Sequence, residues 1–317
     1  MTAHVVIGGC GFLGRHVVKV LSERGDAVSI VDSVSFPEVS LATKTTILDV
    51  SRASAREFDA LIGTADVVHH YAWTTIPASA NADPLADLQA NLAITIGLLD
   101  AIKRRGGGRV VFTSSGGAVY GRLRTIPVPE YHPLEPIAAY GASKVAAEKY
   151  LQLYNYLHGI EIRIARISNP YGAGQNPVQR QGVVTTFVHQ ALAGKTIEIW
   201  GTGEIVRDFI YIADAVSGLI ALADARDVAD GNPPIFNIGS GHGASLIEIV
   251  NIIERELGQP LRVEYKPARA FDVPVNVLDI GKARHELDWA PRVPIQLGIA
   301  QMIADLSAEA TRRFASR

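Results

Sequence analysis

The sequence predicts an α/β fold: a doubly wound parallel sheet that carries a smaller α/β lobe. Three observations lead there. Short apolar, β-branched runs alternate with amphipathic helical stretches through the first half. A glycine-rich loop joins the first run to the first helical stretch. After Asn169 the texture shifts to glycine, proline, glutamine and asparagine before short strands resume. Strand–helix alternation implies parallel strands covered on both faces, with ligands beyond the strands' carboxyl ends.

The elements follow in order. Residues 4–7 read as a short strand, 12–24 as an amphipathic helix stopped by Gly25, and 27–31 as a second strand closed by Asp32. Further strands are expected at 45–48, 67–70, 109–113 and 161–166, with helices at 84–105 and 140–158. Residues 170–182 read as a loop, 183–193 as a helix, and 197–200 and 207–212 as strands. Residues 260–294 are proline-rich and read as irregular. The expected division is 1–168 for the first domain and 169–317 for the smaller lobe, with segments near 207–240 returning to the first.

Bulk properties exclude several classes. The 317 residues are 48% hydrophobic, ample for a core. A net charge of −2 offers no basic field for nucleic acid. The single cysteine, Cys10, excludes an intramolecular disulfide and a cysteine-rich metal site. His69 and His70 are adjacent on a strand, point to opposite faces and lack a third ligand at useful spacing, so no metal is expected. No basic-then-apolar leader opens the chain, and no apolar run reaches the ~18–20 residues that span a bilayer. A cytoplasmic protein without a membrane partner is expected.

The loop Gly8-Gly9-Cys10-Gly11-Phe12-Leu13-Gly14 links strand to helix. A pyrophosphate approaches backbone N–H groups closely at a helix N-terminus, where a Cβ would obstruct it and the helix dipole favours negative charge. Asp32 ends the second strand and suits the two adenosine ribose hydroxyls. Its charge would repel a 2′-phosphate, so the expected cofactor is NAD on a Rossmann-type sheet.

Tyr140-Gly141-Ala142-Ser143-Lys144 sets Tyr and Lys at i and i+4 on one helix face. A free phenol, with pKa near ~10, is a poor base at neutral pH. A neighbouring ammonium favours the phenolate, and Tyr140 could then take a hydroxyl proton as hydride leaves carbon. After the strand at 109–113 the sequence reads Thr113-Ser114-Ser115-Gly116-Gly117-Ala118-Val119-Tyr120-Gly121, which resembles the Ser-Ser-x-x-x-Val-Tyr-Gly segment of nucleotide-sugar epimerases and implies a hydroxyl there as the third member. Ser115 is preferred and Ser114 is second.

These segments resemble the extended short-chain dehydrogenase/reductase family, and within it the NAD-dependent nucleotide-sugar epimerases and dehydratases, above all the UDP-glucose 4-epimerases. The resemblance runs along almost the whole chain. It implies adenine contacts from Asp49 and Val50, and a strand end beneath the cofactor at Tyr71 and Ala72. It further implies cofactor contacts from Phe12, Leu13, Asn91, Thr113 and Ile167, with Lys144 on the nicotinamide ribose. Trp73 departs from the pattern, which usually has Ala or Gly there. Arg166-Ile167-Ser168-Asn169-Pro170-Tyr171-Gly172 resembles the family's Arg-x2-Asn-Pro-Tyr-Gly segment, with Asn169 toward the sugar diphosphate. Arg207 in Gly201–Tyr211, and Arg269 in Arg269-Ala270-Phe271-Asp272, are implied phosphate partners, and Asp272 a nucleoside-ribose partner. Four residues past Asp272, Asn276 is implied to line the sugar pocket. It is smaller than the Tyr of some members, which leaves room for an N-acetyl or carboxylate substituent; in the plainer reading it merely starts a turn.

The implied partner is a UDP-sugar and the implied reaction C4 epimerisation through a 4-keto sugar. A 4,6-dehydratase would need an extra acid near Val-Tyr-Gly, where this chain has Gly117-Ala118. The same motifs would also suit a 4-keto-sugar reductase or a non-catalytic NAD-binding regulatory protein. Apolar residues on more than one face of 84–105 and 140–158, among them Leu88, Leu92, Leu99, Leu151 and Tyr154, lead us to expect a homodimer through those helices.

Overall fold

A computed structural model describes residues 1–35, 44–176, 182–225, 235–268 and 273–315. Seven parallel strands form the main sheet: β1 (Ala3–Ile7), β2 (Ala27–Asp32), β3 (Lys44–Ile47), β4 (Val67–His70), β5 (Arg109–Ser115), β6 (Glu161–Ile167) and β10 (Ile235–Ile238). Their order is β10-β6-β5-β4-β1-β2-β3, so the chain reverses direction across the sheet between β1 and β4. That switch point opens a crevice at the strands' carboxyl ends.

Helices cover both faces. On one side α1 (Phe12–Glu23) and α7 (Ile212–Asp224) pack on each other and on a core that includes Val6, Ile30 and Val111. On the other lie α2 (Ala55–Ile62), α4 (Pro84–Arg105) and α5 (Ala139–His158), over Ile7, Val68 and Phe112. A short α3 (Pro77–Ala82) precedes α4. The starts and stops are local chemistry: Ser54 and Glu57 form a capping box on α2, Asp83 caps α4, and left-handed Gly106 and Gly159 end α4 and α5. By length and mean hydropathy alone α4 could cross a membrane, although Asp87, Asn91 and Asp100 interrupt its apolar run. Here it packs between α2 and α5, with Asp87, Asn91 and Thr95 buried.

The second lobe holds β7 (Asn169–Tyr171), α6 (Val183–Leu192), β8 (Ile197–Trp200), β9 (Val206–Tyr211), β11 (Gly243–Ser245), α8 (Leu246–Leu257), β12 (Val263–Lys266), β13 (Val275–Asn276) and α10 (Ile295–Ala315), while α9 (Gly281–Glu286) packs beside β10 on the core of the main sheet. β9 is central, paired with β7, β11 and β13, while β8 pairs β12. Residues 260–294, expected to be irregular, contribute β12, β13 and α9. Segments do return to the main sheet: β10 adds beside β6, and α7 covers the face. β9 stays in the lobe.

Candidate active site

The glycine loop has the geometry of a phosphate cradle. Gly8 adopts φ +87°, and a Cβ there would stand 2.6 Å from the Ala72 nitrogen. A Cβ on Gly14 would stand 2.1 Å from the Gly8 carbonyl oxygen, so α1 starts tight against β1. The loop is tied to its neighbours. Cys10 N–H donates to Asp32 Oδ2 at 2.9 Å, and Tyr71 and Ala72 N–H both donate to the Ile7 carbonyl, at 2.9 and 2.8 Å. Asp32 thus sits beside the loop at the end of β2, where a ribose carboxylate partner is needed. These residues fit a dinucleotide. Phe12 and Leu13 open α1, Leu13 against the core, and the Phe12 ring meets His16 edge-on.

Asp49 caps the 3-10 turn Val50–Arg52, accepting from Ser51 N and Oγ. Leu48 N–H bonds the Asp32 carbonyl, so Asp49 lies next to the β2 end and Val50 is buried beneath. The Tyr71 hydroxyl pairs with His69 Nδ1 at 2.8 Å, and its ring packs on the core beside α1. His69 and His70 face opposite sides, as alternation requires: His69 meets His4 and Tyr71, and His70 meets Thr95 and Phe112. Burial lowers both imidazoles to a pKa of about 3.

Tyr140 stands in the first turn of α5 and Lys144 one turn on. Gly141 brings the helix close: a Cβ there would meet the Ala118 carbonyl oxygen at 2.5 Å, so α5 begins directly on the 116–118 turn. Lys144 is buried and donates to the Thr113 carbonyl at 2.7 Å. Burial lowers the pKa of its amine, and Glu148 and then Asp87 partly offset this. Burial pushes the Tyr140 phenol up, with Asp87 adding to it. Lys144 Nζ lies 5.8 Å from the centroid of the Tyr140 ring, close enough for its charge to favour the phenolate.

The two serines separate. Ser114 Oγ donates to the buried Glu148 Oε1, which also accepts from Arg166 Nε at 3.1 Å. Ser114 thereby links β5 to α5 through Glu148. Among the described residues no side-chain hydrogen bond engages Ser115. Beside it Gly117 is open, with a notional Cβ 3.9 Å from Ser115 Oγ and 3.8 Å from Asn169 Oδ1. Gly116 has no such room, since its Cβ would meet Leu278 at 2.6 Å. Ile167 is buried at the end of β6, and its carbonyl accepts from Gly116 N.

The substrate candidates gather on the lobe's sheet. Asn169 pairs in register with Phe209 and donates to the Asp208 carbonyl at 2.8 Å. Asn276 pairs with Arg207 and donates to the Gly116 carbonyl at 3.2 Å. It lies buried in a strand instead of a turn, and among the described residues its Oδ1 has no partner. Arg207 bonds the Val206 and Val273 carbonyls, at 2.9 and 2.6 Å. Arg269 and Asp272 lie outside the described residues.

Several organising residues escaped sequence reasoning. Asp87, fully buried on α4, accepts from Thr75, Asn91 and Ser143. Asn91 in turn accepts from Thr74 N at 2.9 Å, so its amide braces the strand-end loop. Glu148 and Arg166 form a buried ion pair at 2.6 Å. Asp208, also buried, gathers N–H groups of Ser240, Gly241 and Leu278. A helix-spaced third member after Tyr140 and Lys144, at Glu148, was the one available signal.

Comparison with known proteins agrees with this geometry. A sequence model described as the NAD dependent epimerase/dehydratase family matches residues 4–239. A putative UDP-glucose 4-epimerase of Methanocaldococcus jannaschii is 34% identical, with 94% of this chain and 96% of that protein covered. The UDP-glucose 4-epimerase of Thermotoga maritima, solved with UDP-glucose, superposes with a TM-score of 0.90 at 29% identity, covering 97% of this chain and 99% of that one. A Thermus thermophilus UDP-glucose 4-epimerase complexed with NAD gives a TM-score of 0.87 at 27% identity, covering 96% and 98%. The chain belongs to the NAD-dependent epimerase/dehydratase family and is an enzyme of that family. Its cofactor is NAD.

Proposed function

We propose that this enzyme is a nucleotide-sugar 4-epimerase acting on a UDP-hexose or a substituted UDP-hexose. The observation that carries the reading is the makeup of the site around Tyr140. Gly141, between Tyr140 and Lys144, packs on the 116–118 turn that follows Ser115, and that turn holds no ionisable group. A dehydratase or decarboxylase needs further acid–base help, whereas C4 oxidation and re-reduction need one proton carrier. Relatives named UDP-glucuronic acid decarboxylase and dTDP-4-dehydro-6-deoxyglucose reductase share the fold at 29% and 30% identity, so the chemistry rests on these side chains.

NAD bound here would accept and return the C4 hydride. Tyr140 takes the O4 proton as C4 becomes a ketone and gives it back when the hydride returns to the opposite face. Ser115 donates a hydrogen bond to O4 and orients it. Lys144 supplies the positive charge that favours phenolate and holds the nicotinamide ribose. Asp32 holds the adenosine ribose. Asn169 and Arg207 hold the diphosphate, together with Arg269. Asp272 binds the nucleoside ribose. Asn276 lies beside Gly116 with an unpartnered acceptor and leaves room for a 2-acetamido or uronate substituent.

Residues 1–168, with the returning α7 and β10, serve the cofactor in this reading, and 169–317 serve the nucleotide sugar. The enzyme works in the cytoplasm as a homodimer. Leu99 and Leu151, expected to serve a partner as well, are fully buried core residues. The proposed partner face keeps Leu88 and adds Leu85, Tyr150, Leu153, Tyr156 and Leu157, all exposed on α4 and α5, while Leu92 and Tyr154 are partly buried against the core.

Incubation of the NAD-loaded enzyme with UDP-glucose, UDP-N-acetylglucosamine and UDP-glucuronate, followed by NMR of the products, tests the reaction. C4 epimers are expected. Loss of water or of carbon dioxide, without epimer, would contradict it.

A further inference from the structure

Trp73, where the family pattern has a small residue, lies against the catalytic couple. Its ring centroid is 3.6 Å from Lys144 Nζ, and its plane meets the Tyr140 ring edge-on at 6.2 Å between centroids. A buried ammonium has three donors to satisfy and no water to do it. One goes to the Thr113 carbonyl. The nearest carboxylate on the same helix face, Glu148, is engaged by Arg166 and Ser114. What meets the rest of the Lys144 head is aromatic: the Trp73 face, then the Phe112 ring with its centroid 4.7 Å away. Indole is the best aromatic partner for a cation, and the contact strengthens when desolvated.

The arrangement is built from both sides by one carboxylate. Asp87 accepts from Thr75, two residues after Trp73, and from Ser143, the residue before Lys144. Asn91, itself donating to Asp87 at 2.9 Å, accepts from the Thr74 N–H. The loop carrying the indole and the helix carrying the ammonium are therefore fixed to the same point of α4.

We propose that Trp73 is a positioning residue for the Tyr140–Lys144 couple, its indole face holding the Lys144 ammonium where it can act on Tyr140. The proposal rests on the reading of Tyr140 as the acid/base. The groups that face Lys144 are Tyr140 and Glu148 from α5, Asp87 from α4, His70 from β4, and Phe112 and the Thr113 carbonyl from β5, with Arg166 of β6 offsetting Glu148. His70 stays neutral at working pH. Removing the aromatic face therefore leaves Lys144 easier to deprotonate. A weaker cation favours the Tyr140 phenolate less.

Two variants of similar bulk separate the aromatic face from mere filling: Trp73→Phe keeps a π face and Trp73→Leu does not. In the NAD-loaded enzyme without substrate, the Lys144 amine is titrated by ¹⁵Nζ NMR. In turnover, kcat and KM are measured across pH on a UDP-hexose. Trp73→Leu should lower the Lys144 pKa by about 0.5–1 unit and move the acid limb of kcat upward by a similar amount. It should lower kcat about three- to thirtyfold, with KM within about twofold. Trp73→Phe should recover most of each change. Equal behaviour of Leu and Phe, whether both shifted or both unshifted, overturns the proposal. Failure of the underlying reading looks different: Tyr140→Phe would then retain turnover, whatever the amine titration shows.

Discussion

The two halves of the site are held by different chemistry. At the sheet's carboxyl edge, the side chains proposed to meet the cofactor and the reacting carbon are fixed by buried ionic and polar groups. Asp87 braces the Trp73 loop and α5, Glu148 is paired with Arg166 and bonded to Ser114, and Lys144 is locked onto the Thr113 carbonyl. In the smaller lobe the substrate candidates rest mainly on backbone carbonyls: Asn169 on Asp208, Arg207 on Val206 and Val273, Asn276 on Gly116. Atom positions for proton and hydride transfer must hold within a fraction of an ångström, which a satisfied buried network provides. A diphosphate sugar needs only that its groups find donors, and carbonyl-held amides and guanidiniums retain capacity for that. Changes in the first half should therefore strike turnover or stability broadly. Changes in the second should discriminate among substrates.

The largest expected effect is at Tyr140. Tyr140→Phe removes the proton carrier and should cut kcat by about 10²–10⁴ while leaving NAD binding nearly intact. Steady-state kinetics with an NAD-binding titration checks both halves of that statement, and turnover within threefold of the parent would break the comparison at its strong end.

Next is the buried pair. Glu148→Gln should destabilise the fold by about 3–5 kcal/mol by stranding Arg166 in a site that is almost wholly closed. Denaturant unfolding measures it. The same loss at Arg207→Gln would show that the two halves are held alike.

The buried imidazoles give a pH dependence with a definite sign. His69 and His70 titrate near 3 in the folded chain and near 6.5 unfolded. The unfolded state thus binds more protons below pH 6.5, and stability is full above that value and lost as pH falls toward 3. Each group contributes a slope of up to about 1.4 kcal/mol per pH unit in that window. Melting temperature between pH 7.5 and 5 should fall, and His70→Leu should flatten the fall; a pH-independent melting temperature would contradict the burial.

How far these contrasts were legible in sequence depends on the range of the interaction. The main sheet, the glycine loop with Asp32, and Tyr140 with Lys144 are local patterns: alternation, a strand–loop–helix junction, a helix period. Their bounds moved by only one or two residues. Long-range consequences were not legible. The return of segments near 207–240 was expected, but not that β9 stays in the lobe, and prolines obscured β12, β13 and α9. Ser114 and Ser115 look alike until Glu148, 34 residues away, takes one of them. Leu99 and Leu151 read as partner-facing because a helix pattern alone does not say which of two apolar stripes the sheet will cover. Asp87 was not singled out, because the partners that make it a brace, Thr75, Asn91 and Ser143, lie on a loop and two helices that only the fold brings together.

The smallest effect, and the one that sharpens the comparison most, is at Asn276. Asn276→Tyr should depress kcat/KM about tenfold or more on a 2-acetamido or uronate substrate relative to plain UDP-hexose, because the added ring fills the space beside Gly116. Equal loss on all substrates would place Asn276 with the rigid half instead.

The central claim is that one site removes a hydride from C4 and returns it to the other face of the same sugar. UDP-glucose carrying deuterium at C4 tests it directly with the NAD-loaded enzyme. The account predicts UDP-galactose with the deuterium retained at C4 and no accumulation of reduced cofactor. Epimer that has lost the label to solvent, or a product altered at C5 or C6 with C4 unchanged, would contradict it.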